Sequence, residues 1–394
     1  VKHLLFFFII FTALHSSVFA IIETVVLPKL FFNKSDIIGG TTGERPYRKG
    51  GIRIEHETLN LGSLSFDVYH NYGSGGAGAT LAPGAAERIV QLFLDNQKRI
   101  KSEVPLKVVI LGAGYAGLLT AKILVDKGYT VHIYAEHLPE SDSYICDPEY
   151  TSYVAGGYWM PFTIDYTDLS AHKEMQRISW NKYSEWINNK NYKGLSFRDA
   201  YSLTEEDPLD SDSLATGLMT SRPINLQFGE NGDVKSGWAF KTILMEGPLF
   251  LNSLYQELQK KGVVFCKQKF SSLEQLINLP YKTIFNCTGN GGRKLWKDKN
   301  MKGIKGQLVY VNKKPIDCFL FGKVKIPIIQ KDGTEDSIIE AVSIYPSSNK
   351  TTIGYVTIED FENLNLDPEI TEHLLKKANL LVFNKQSTVD GNKK

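Results

Sequence analysis

The residues best suited to chemistry lie in one stretch, Lys107 to Glu136, KVVILGAGYAGLLTAKILVDKGYTVHIYAE. An apolar run, Val108 to Leu111, reads as a buried strand. It ends in Gly112-Ala113-Gly114-Tyr115-Ala116-Gly117, which opens an amphipathic helix carrying Leu118, Leu119, Ala121, Ile123 and Leu124. A second apolar strand, Thr130 to Ala135, closes on Glu136. Strand, glycine loop, helix, strand and acid in this order form a dinucleotide fingerprint. Gly112 allows the tight turn, Gly114 lets backbone approach a pyrophosphate, and Gly117 lets helix and strand pack closely. The helix N-terminus offers free N–H groups and a positive dipole end to phosphates. Glu136 stands where a carboxylate accepts both hydroxyls of an adenosine ribose.

Two further stretches are dense in residue types that serve ligands. IIGGTTGERPYRKGGIRIEHE, from Ile37, holds Arg45, Arg48 and Arg53 around Pro46 and Gly50-Gly51. The loop Gly73-Ser74-Gly75-Gly76-Ala77-Gly78-Ala79-Thr80 implies that backbone passes close to something. Gly156-Gly157 beside Tyr158 and Trp159 implies the same. The strand Thr283 to Cys287 ends in Thr288-Gly289, where a strand tip can meet a ligand at the edge of a parallel sheet.

Bulk properties set outer limits. The 394 residues suffice for one large or two medium domains. A net charge of +2 gives no footing for nucleic acid. The four cysteines, Cys146, Cys266, Cys287 and Cys318, are far apart and lack metal-ligand spacing, so no metal site is expected. Cys266 and Cys287 read as small core residues. Residues 1–20 read as a signal peptide: Lys2 and His3, an apolar run from Leu4 to Leu14, then small residues ending at Ala20. That run falls short of the ~20 residues of a bilayer span. The expectation is export, periplasmic or secreted, after cleavage near Ala20, with no transmembrane span in the mature chain.

The elements that must position these residues follow from pattern. Thr24 to Leu27 is one strand and Phe66 to Tyr72 another. Pro83 is expected to begin a helix with Ile89, Val90, Phe93 and Leu94 on one face. Leu169 to Ile187 is a helix with Met175, Ile178, Tyr183, Trp186 and Ile187 inward. Lys193 to Ser236 reads as loops and short strands. Trp238 to Leu244 is a strand, and Pro248 to Lys260 a helix stopped by Gly262. After Gly306-Gln307, apolar segments through Ile358 read as an antiparallel sheet, and Pro368 to Leu381 as a last helix.

Together these stretches resemble the D-amino-acid oxidase family of FAD enzymes. LGAGYAGL is similar to its cofactor loop and VAGGYW to the segment beneath the flavin. GWAFKTILMEGPLFLNSLYQELQKKGVVF, NCTG and KGQLVYV follow at the family's spacing. In that family the fingerprint lies at the N-terminus, whereas here about 100 residues precede it. IIGGTTGERPYRKGGIRIE is similar to the family's late arginine strand, and YHNYGSGGAGATLAPGAAERIVQLF to its final flavin loop and helix. A circular permutation accounts for both features.

The resemblance implies a mixed α/β fold: a Rossmann-like FAD-binding domain with a parallel sheet, and a substrate domain with a largely antiparallel sheet. The expected boundaries are 37–160 for the first part of the FAD domain, which includes the permuted segment 37–94 and a linker 95–106. The substrate domain takes 161–237, the FAD domain resumes over 238–300, the substrate domain over 301–381, and 382–394 is a polar tail. The implied activity is oxidative deamination of D-amino acids or related small amines, with hydride transfer to flavin and oxygen as acceptor. Arg45 falls at the family's carboxylate anchor, and its planar fork suits a bidentate contact. Gly76 falls where a backbone carbonyl accepts from the substrate amine. Gly75, Ala77, Gly78, Ala79 and Thr80 would line the flavin, with the Thr80 N–H or hydroxyl at a flavin carbonyl. Tyr158 and Trp159 would flank it, and Thr151 and Ser152 can reach the pyrophosphate. Arg48 and Arg53 read as structural. The family's substrate-facing tyrosines would align with Ile339 and Ser343, which are not tyrosines; Tyr345, Tyr355, Tyr47 or Tyr158 are the candidates to replace them. The alternatives are a same-fold oxidase of glycine or secondary amines and a non-catalytic flavoprotein. An NAD(P) dehydrogenase leaves NCTG and the glycine loop at 73–80 without a role.

Overall fold

The computed structural model describes residues 22–99, 107–141, 143, 147–330 and 335–383. The expected signal peptide, residues 100–106 of the linker, Cys146 and residues 384–394 of the tail lie outside the described residues. In chain order the first elements are β1 (Thr24–Leu27), β2 (Ile37–Arg48), β3 (Arg53–Leu61), β4 (Leu64–Tyr72), α1 (Gly78–Arg99), β5 (Lys107–Leu111), α2 (Tyr115–Asp126), β6 (Thr130–Ala135), α3 (Thr151–Val154) and α4 (Leu169–Asn188). There follow β7 (Leu195–Leu203), β8 (Arg222–Phe228), β9 (Val234–Met245), α5 (Gly247–Lys260), β10 (Val264–Lys267), β11 (Thr283–Asn286) and α6 (Gly291–Lys294). The last are β12 (Met301–Asn312), β13 (Phe319–Ile329), β14 (Glu335–Pro346), β15 (Lys350–Gly354) and α7 (Pro368–Phe383).

Two sheets organise these elements. The smaller has the order β10-β6-β5-β11-β4-β3 and is parallel except for the hairpin of β3 with β4. A parallel sheet is covered on both faces, so its central strands β5 and β11 are buried on both. In β5, Val108 and Ile110 enter one core with Leu118, Leu124, Phe250 and Leu254 of α2 and α5. Val109 and Leu111 enter another with Phe66, Val68 and Ile284. The alternation of Cβ directions along a strand sends neighbours to opposite faces.

The larger sheet has the order β1-β8-β9-β7-β13-β14-β15-β12-β2, antiparallel except at β1/β8 and β13/β7. Helix α7 covers one face. Leu374, Ala378 and Leu381, at helical spacing, bury themselves against Val309, Leu320, Val342 and Ile344. The fold is thus α/β, a parallel-rich sheet joined to a largely antiparallel one, and no helix among the described residues is long and apolar enough to cross a membrane.

Three local readings need correction. The first helix starts at Gly78, not Pro83, which sits inside it. Proline lacks the N–H that would bond the carbonyl four residues back; the Tyr183 hydroxyl donates to that Ala79 carbonyl instead, at 2.7 Å. The stretch from Lys193 to Ser236 contains the nine-residue strand β7, placed between β9 and β13 in the larger sheet. Its polar residues, Ser196, Arg198, Asp199 and Ser202, obscured it, because they interrupt the apolar pattern while Leu195 and Ala200 are buried. Strand β2, within the segment assigned to the FAD side, hydrogen-bonds along β12 in the larger sheet.

Candidate functional site

The carboxyl ends of β4, β5, β6 and β11 open on one cavity of about 490 Å³, which also reaches β2 and β12 of the larger sheet. That is where open α/β sheets hold ligands, and the volume lies in the usual range for such sites. Gly112 has φ +102°, and a Cβ there would meet the Cys287 carbonyl at 2.4 Å. A Cβ on Gly117 would stand 1.9 Å from the Gly112 carbonyl oxygen, so only glycine lets α2 sit against this turn. Gly114 faces Ser152, whose Oγ would be 2.5 Å from a Cβ. The Tyr150 hydroxyl donates to the Ala113 carbonyl at 2.7 Å and fixes the loop. At the start of α2, Tyr115 N–H donates to Ser152 Oγ at 3.3 Å, while the next N–H groups have no partner within the helix.

Gly112, Ala113, Gly114, Tyr115, Ala116, Thr151, Ser152, Thr288 and Gly289 all line the cavity. Thr151 donates its hydroxyl to the Glu44 carbonyl at 2.9 Å, which ties α3 to β2. Glu136 stands at the rim, 2.5 Å from Lys269 Nζ. Beside it, Glu149 pairs with Lys294 at 3.4 Å. One ligand atom each of Glu136, His137 and Glu149 falls within a 4.8 Å spread, with the two lysines balancing the acids.

The glycine run from the start of the chain enters the same cavity. Gly75, Gly76, Gly78, Ala79 and Thr80 line it. What the glycines approach is protein backbone: a Cβ on Gly75, at φ +54°, would be 2.2 Å from the Thr163 carbonyl oxygen, and one on Gly76 would be 2.8 Å from that of Phe162. Gly76 N–H donates to the Thr163 carbonyl at 3.0 Å. The Thr80 hydroxyl is engaged by Met160, donating to its carbonyl at 3.0 Å and accepting from its N–H at 3.2 Å. For a ligand, Thr80 therefore offers only its first-turn N–H, which has no intrahelical partner.

Four expected cofactor contacts do not line the cavity: Ala77, Gly117, Gly157 and Trp159. Ala77 packs with Leu81, Ala85 and Met175. Gly117 is spent on helix packing. Gly157 is pressed against Met245, whose N–H donates to its carbonyl at 2.8 Å. Trp159 is fully buried, edge-on to Trp180 at 4.9 Å. Gly156 and Tyr158, its neighbours, do face the cavity.

The other end of the cavity is built around Arg45. Strand pairing sets Arg45 opposite Ile304. Its guanidinium donates to the Val356 carbonyl at 3.2 Å and more weakly to that of Lys305 at 3.5 Å. No acidic partner pairs with it among the described residues. Burial pulls the guanidinium pKa down, while Tyr345, Tyr355 and Tyr158 oppose that shift. Burial also pushes the Tyr158 and Tyr345 hydroxyls up, so both stay protonated near neutral pH. Their rings stack with centroids 5.5 Å apart. Tyr47 does not line the cavity. Ile339 is 63% exposed on the β13/β14 hairpin, and Ser343 is buried outside the lining. Arg48 pairs with Asp298 at 2.8 Å and Arg53 with Glu55 and Glu57, so both are structural. Sequence reasoning missed Glu44, Asn290 and the rim 268–271, all in the lining; they sit beside recognised motifs, but nothing in their types singles them out.

Comparison with known proteins identifies the family. A family model described as FAD dependent oxidoreductase, the DAO family, matches residues 107–390. The chain belongs to this family and is an FAD-dependent oxidoreductase. A D-amino-acid oxidase of Schizosaccharomyces pombe is 29% identical over 216 residues, 53% of this chain and 58% of that protein. The match thus spans little more than half of that relative's length. A D-amino-acid oxidase of Rubrobacter xylanophilus is 24% identical over 72% of this chain and 79% of that protein. Among solved structures, glycerol-3-phosphate dehydrogenase from Bacillus halodurans complexed with FAD has 14% identity and a TM-score of 0.44, covering 73% of this chain and 56% of that one.

The residues fit FAD. The Gly112–Gly114 cradle would crowd a pyrophosphate if it carried side chains, the α2 terminus supplies N–H donors, and Glu136 supplies the acid at the nucleoside end. Tyr158, Gly156 and the start of α1 form the far end, next to Arg45.

Proposed function

We propose that this oxidoreductase oxidises D-amino acids or related small amines at the α-carbon–nitrogen bond, with oxygen as final acceptor. The observation that carries the reading is Arg45: a cation without an acidic partner among the described residues, half-buried among tyrosines, in the same cavity as the dinucleotide cradle. A half-buried cation without a counter-charge is costly, and a substrate carboxylate would supply one through a bidentate pair. Bound FAD supplies a two-electron acceptor for the hydrogen leaving the α-carbon. The protein holds the substrate carboxylate on Arg45, keeps Tyr158 and Tyr345 as neutral hydrogen-bond donors, and shields the reacting carbon with Tyr158, Phe162 and Leu308. If the substrate amine binds neutral, its ammonium proton already lost to water, the nitrogen lone pair forms the C=N bond as hydrogen leaves the α-carbon with its electron pair, and no residue of this pocket needs to act as a base; the imine released then hydrolyses in water. Reduction of the bound flavin by an amino-acid panel tests the reading. Glycine or secondary amines as the only reductants would shift the substrate, and no reduction by any amine would favour a non-catalytic flavoprotein.

We also infer that the order of the chain is permuted relative to its family. The family match begins at Lys107, yet β2, β4 and the Gly75–Thr80 turn supply one wall of the cavity. The old junction would be easy to close. Phe32 N–H donates to Asn379 Oδ1 at 3.1 Å, Asn379 Nδ2 donates back to the Phe32 carbonyl at 2.8 Å, and the rings of Phe31 and Phe383 are 4.5 Å apart. Export after cleavage near Ala20 is the reading of residues 1–20; an intact mass of the secreted chain that retains them would refute it.

A further inference from the structure

Tyr355, the first residue after β15, lines the cavity with φ +86°. That backbone region is unfavourable for an aromatic residue and persists only where surrounding contacts impose it. The contacts are present. Lys377 of α7 is 1% exposed, and its ammonium donates to the Tyr355 carbonyl at 3.1 Å. The next carbonyl, Val356, receives the Arg45 guanidinium at 3.2 Å. Two residues on, Ile358 and Lys305 exchange backbone hydrogen bonds of 2.8 and 2.9 Å. The turn 355–358 is therefore a brace, pinned by α7 on one side and holding Arg45 on the other.

Lys377 has no catalytic contact, and its side chain is among the largest fully buried. Its counter-charge is Glu340 Oε2 at 3.1 Å, which is shared with His373 at 2.9 Å. A buried ammonium is costly unless it is paired and hydrogen-bonded, so its placement under a strained cavity residue calls for a role. We propose that Lys377 is a positioning residue, which clamps the strained Tyr355 turn and so holds the Val356 carbonyl that orients Arg45 toward a substrate carboxylate. This rests on the reading of Arg45 given above.

The test uses the FAD-loaded protein and benzoate, an aromatic monocarboxylate suited to one cation among tyrosines, followed by the perturbation of flavin absorbance. Lys377→Met is compared with the charge-balanced pair Glu340→Gln/Lys377→Met, which leaves no unpaired carboxylate if the single variant folds poorly. The expected result is a benzoate Kd raised tenfold or more in the folded variants, with amino-acid KM raised, kcat changed less than threefold, and FAD retained. A benzoate Kd within twofold of the parent in the double variant, while Arg45→Ala abolishes binding, would overturn the role of Lys377 alone. Unchanged benzoate binding in Arg45→Ala would overturn both readings.

Discussion

The guanidinium of Arg45 lies face-on against Gly306: a Cβ at residue 306 would stand 2.8 Å from Nη2, 2.9 Å from Nη1 and 3.0 Å from Cζ. The absent side chain thus leaves room for this guanidinium, the carboxylate anchor proposed above. Gly306→Ala would collide with the tip of a flexible side chain, not with backbone, so the fold should tolerate it while the guanidinium moves. We expect KM for the carboxylate substrate to rise about tenfold, roughly 1.4 kcal/mol, with the melting temperature nearly unchanged. A large loss of stability with KM unaltered would contradict this seating.

The glycines of the fingerprint separate by what they touch. At Gly114 a Cβ would meet the Ser152 hydroxyl at 2.5 Å, a group able to turn aside; at Gly117 it would meet the Gly112 carbonyl oxygen at 1.9 Å. Gly114→Ala should therefore leave the apo-protein folded and weaken FAD binding by tenfold or more. Gly117→Ala should destabilise the apo-protein itself. Circular dichroism melting with flavin titration distinguishes the two effects, and equal behaviour of both variants would count against the assignment.

His70 is fully buried in β4, its Nδ1 accepting from Asn286 Nδ2 at 2.9 Å. Burial and the nearby Arg53 pull its pKa down to about 4, although Glu57 Oε1 lies 3.1 Å from Nε2. The folded state therefore keeps this imidazole neutral in a range where the unfolded chain takes up a proton at its ordinary pKa of about 6.5. Stability must fall as pH drops through that window, by about 2 kcal/mol between pH 7 and pH 5 from this group. Urea unfolding at the two pH values measures the loss, and His70→Gln should reduce it. An equal loss in the variant would assign the acid sensitivity elsewhere.

The contact between Phe32 and Asn379 makes the permuted order testable. A rearranged chain beginning at Lys107, with Phe383 joined to Ile22 by a flexible linker so that β1 and the buried Leu30 are kept, and ending in α1, should fold and bind FAD. A rearranged chain that collapses, while the parent holds FAD, would mean that residues 95–106 are an essential tether.

Much of this was legible in the sequence, and for a physical reason. The stretch 107–136 combines a buried apolar strand, obligatory glycines and a helix, so local pattern and tertiary role coincide. The anchoring role proposed for Arg45 was legible only through resemblance, because its partners, the carbonyls of Lys305 and Val356, are 260 and 311 residues away in the chain. Trp159 and Gly157 misled because close approach to other protein backbone selects the same residue types as close approach to a flavin. Pro83 misled because a proline inside a helix is tolerated when a distant hydroxyl, here that of Tyr183, takes the orphaned carbonyl. Tyr355 was among the candidate tyrosines, but its strained φ and the buried Lys377 beneath it were not legible: neither a strained φ nor a buried ammonium leaves a local pattern.

In the function proposed, one cavity joins a flavin cradle to a carboxylate anchor at Arg45. Anaerobic absorbance of the FAD-loaded protein, mixed with a panel of D- and L-amino acids, glycine and simple amines, tests it most directly. D-Amino acids are expected to bleach the flavin, and Arg45→Ala to retain the flavin spectrum with apparent substrate affinity weakened by about 2–4 kcal/mol. Bleaching that is equally fast in the parent and in Arg45→Ala, at the same substrate concentration dependence, would contradict it.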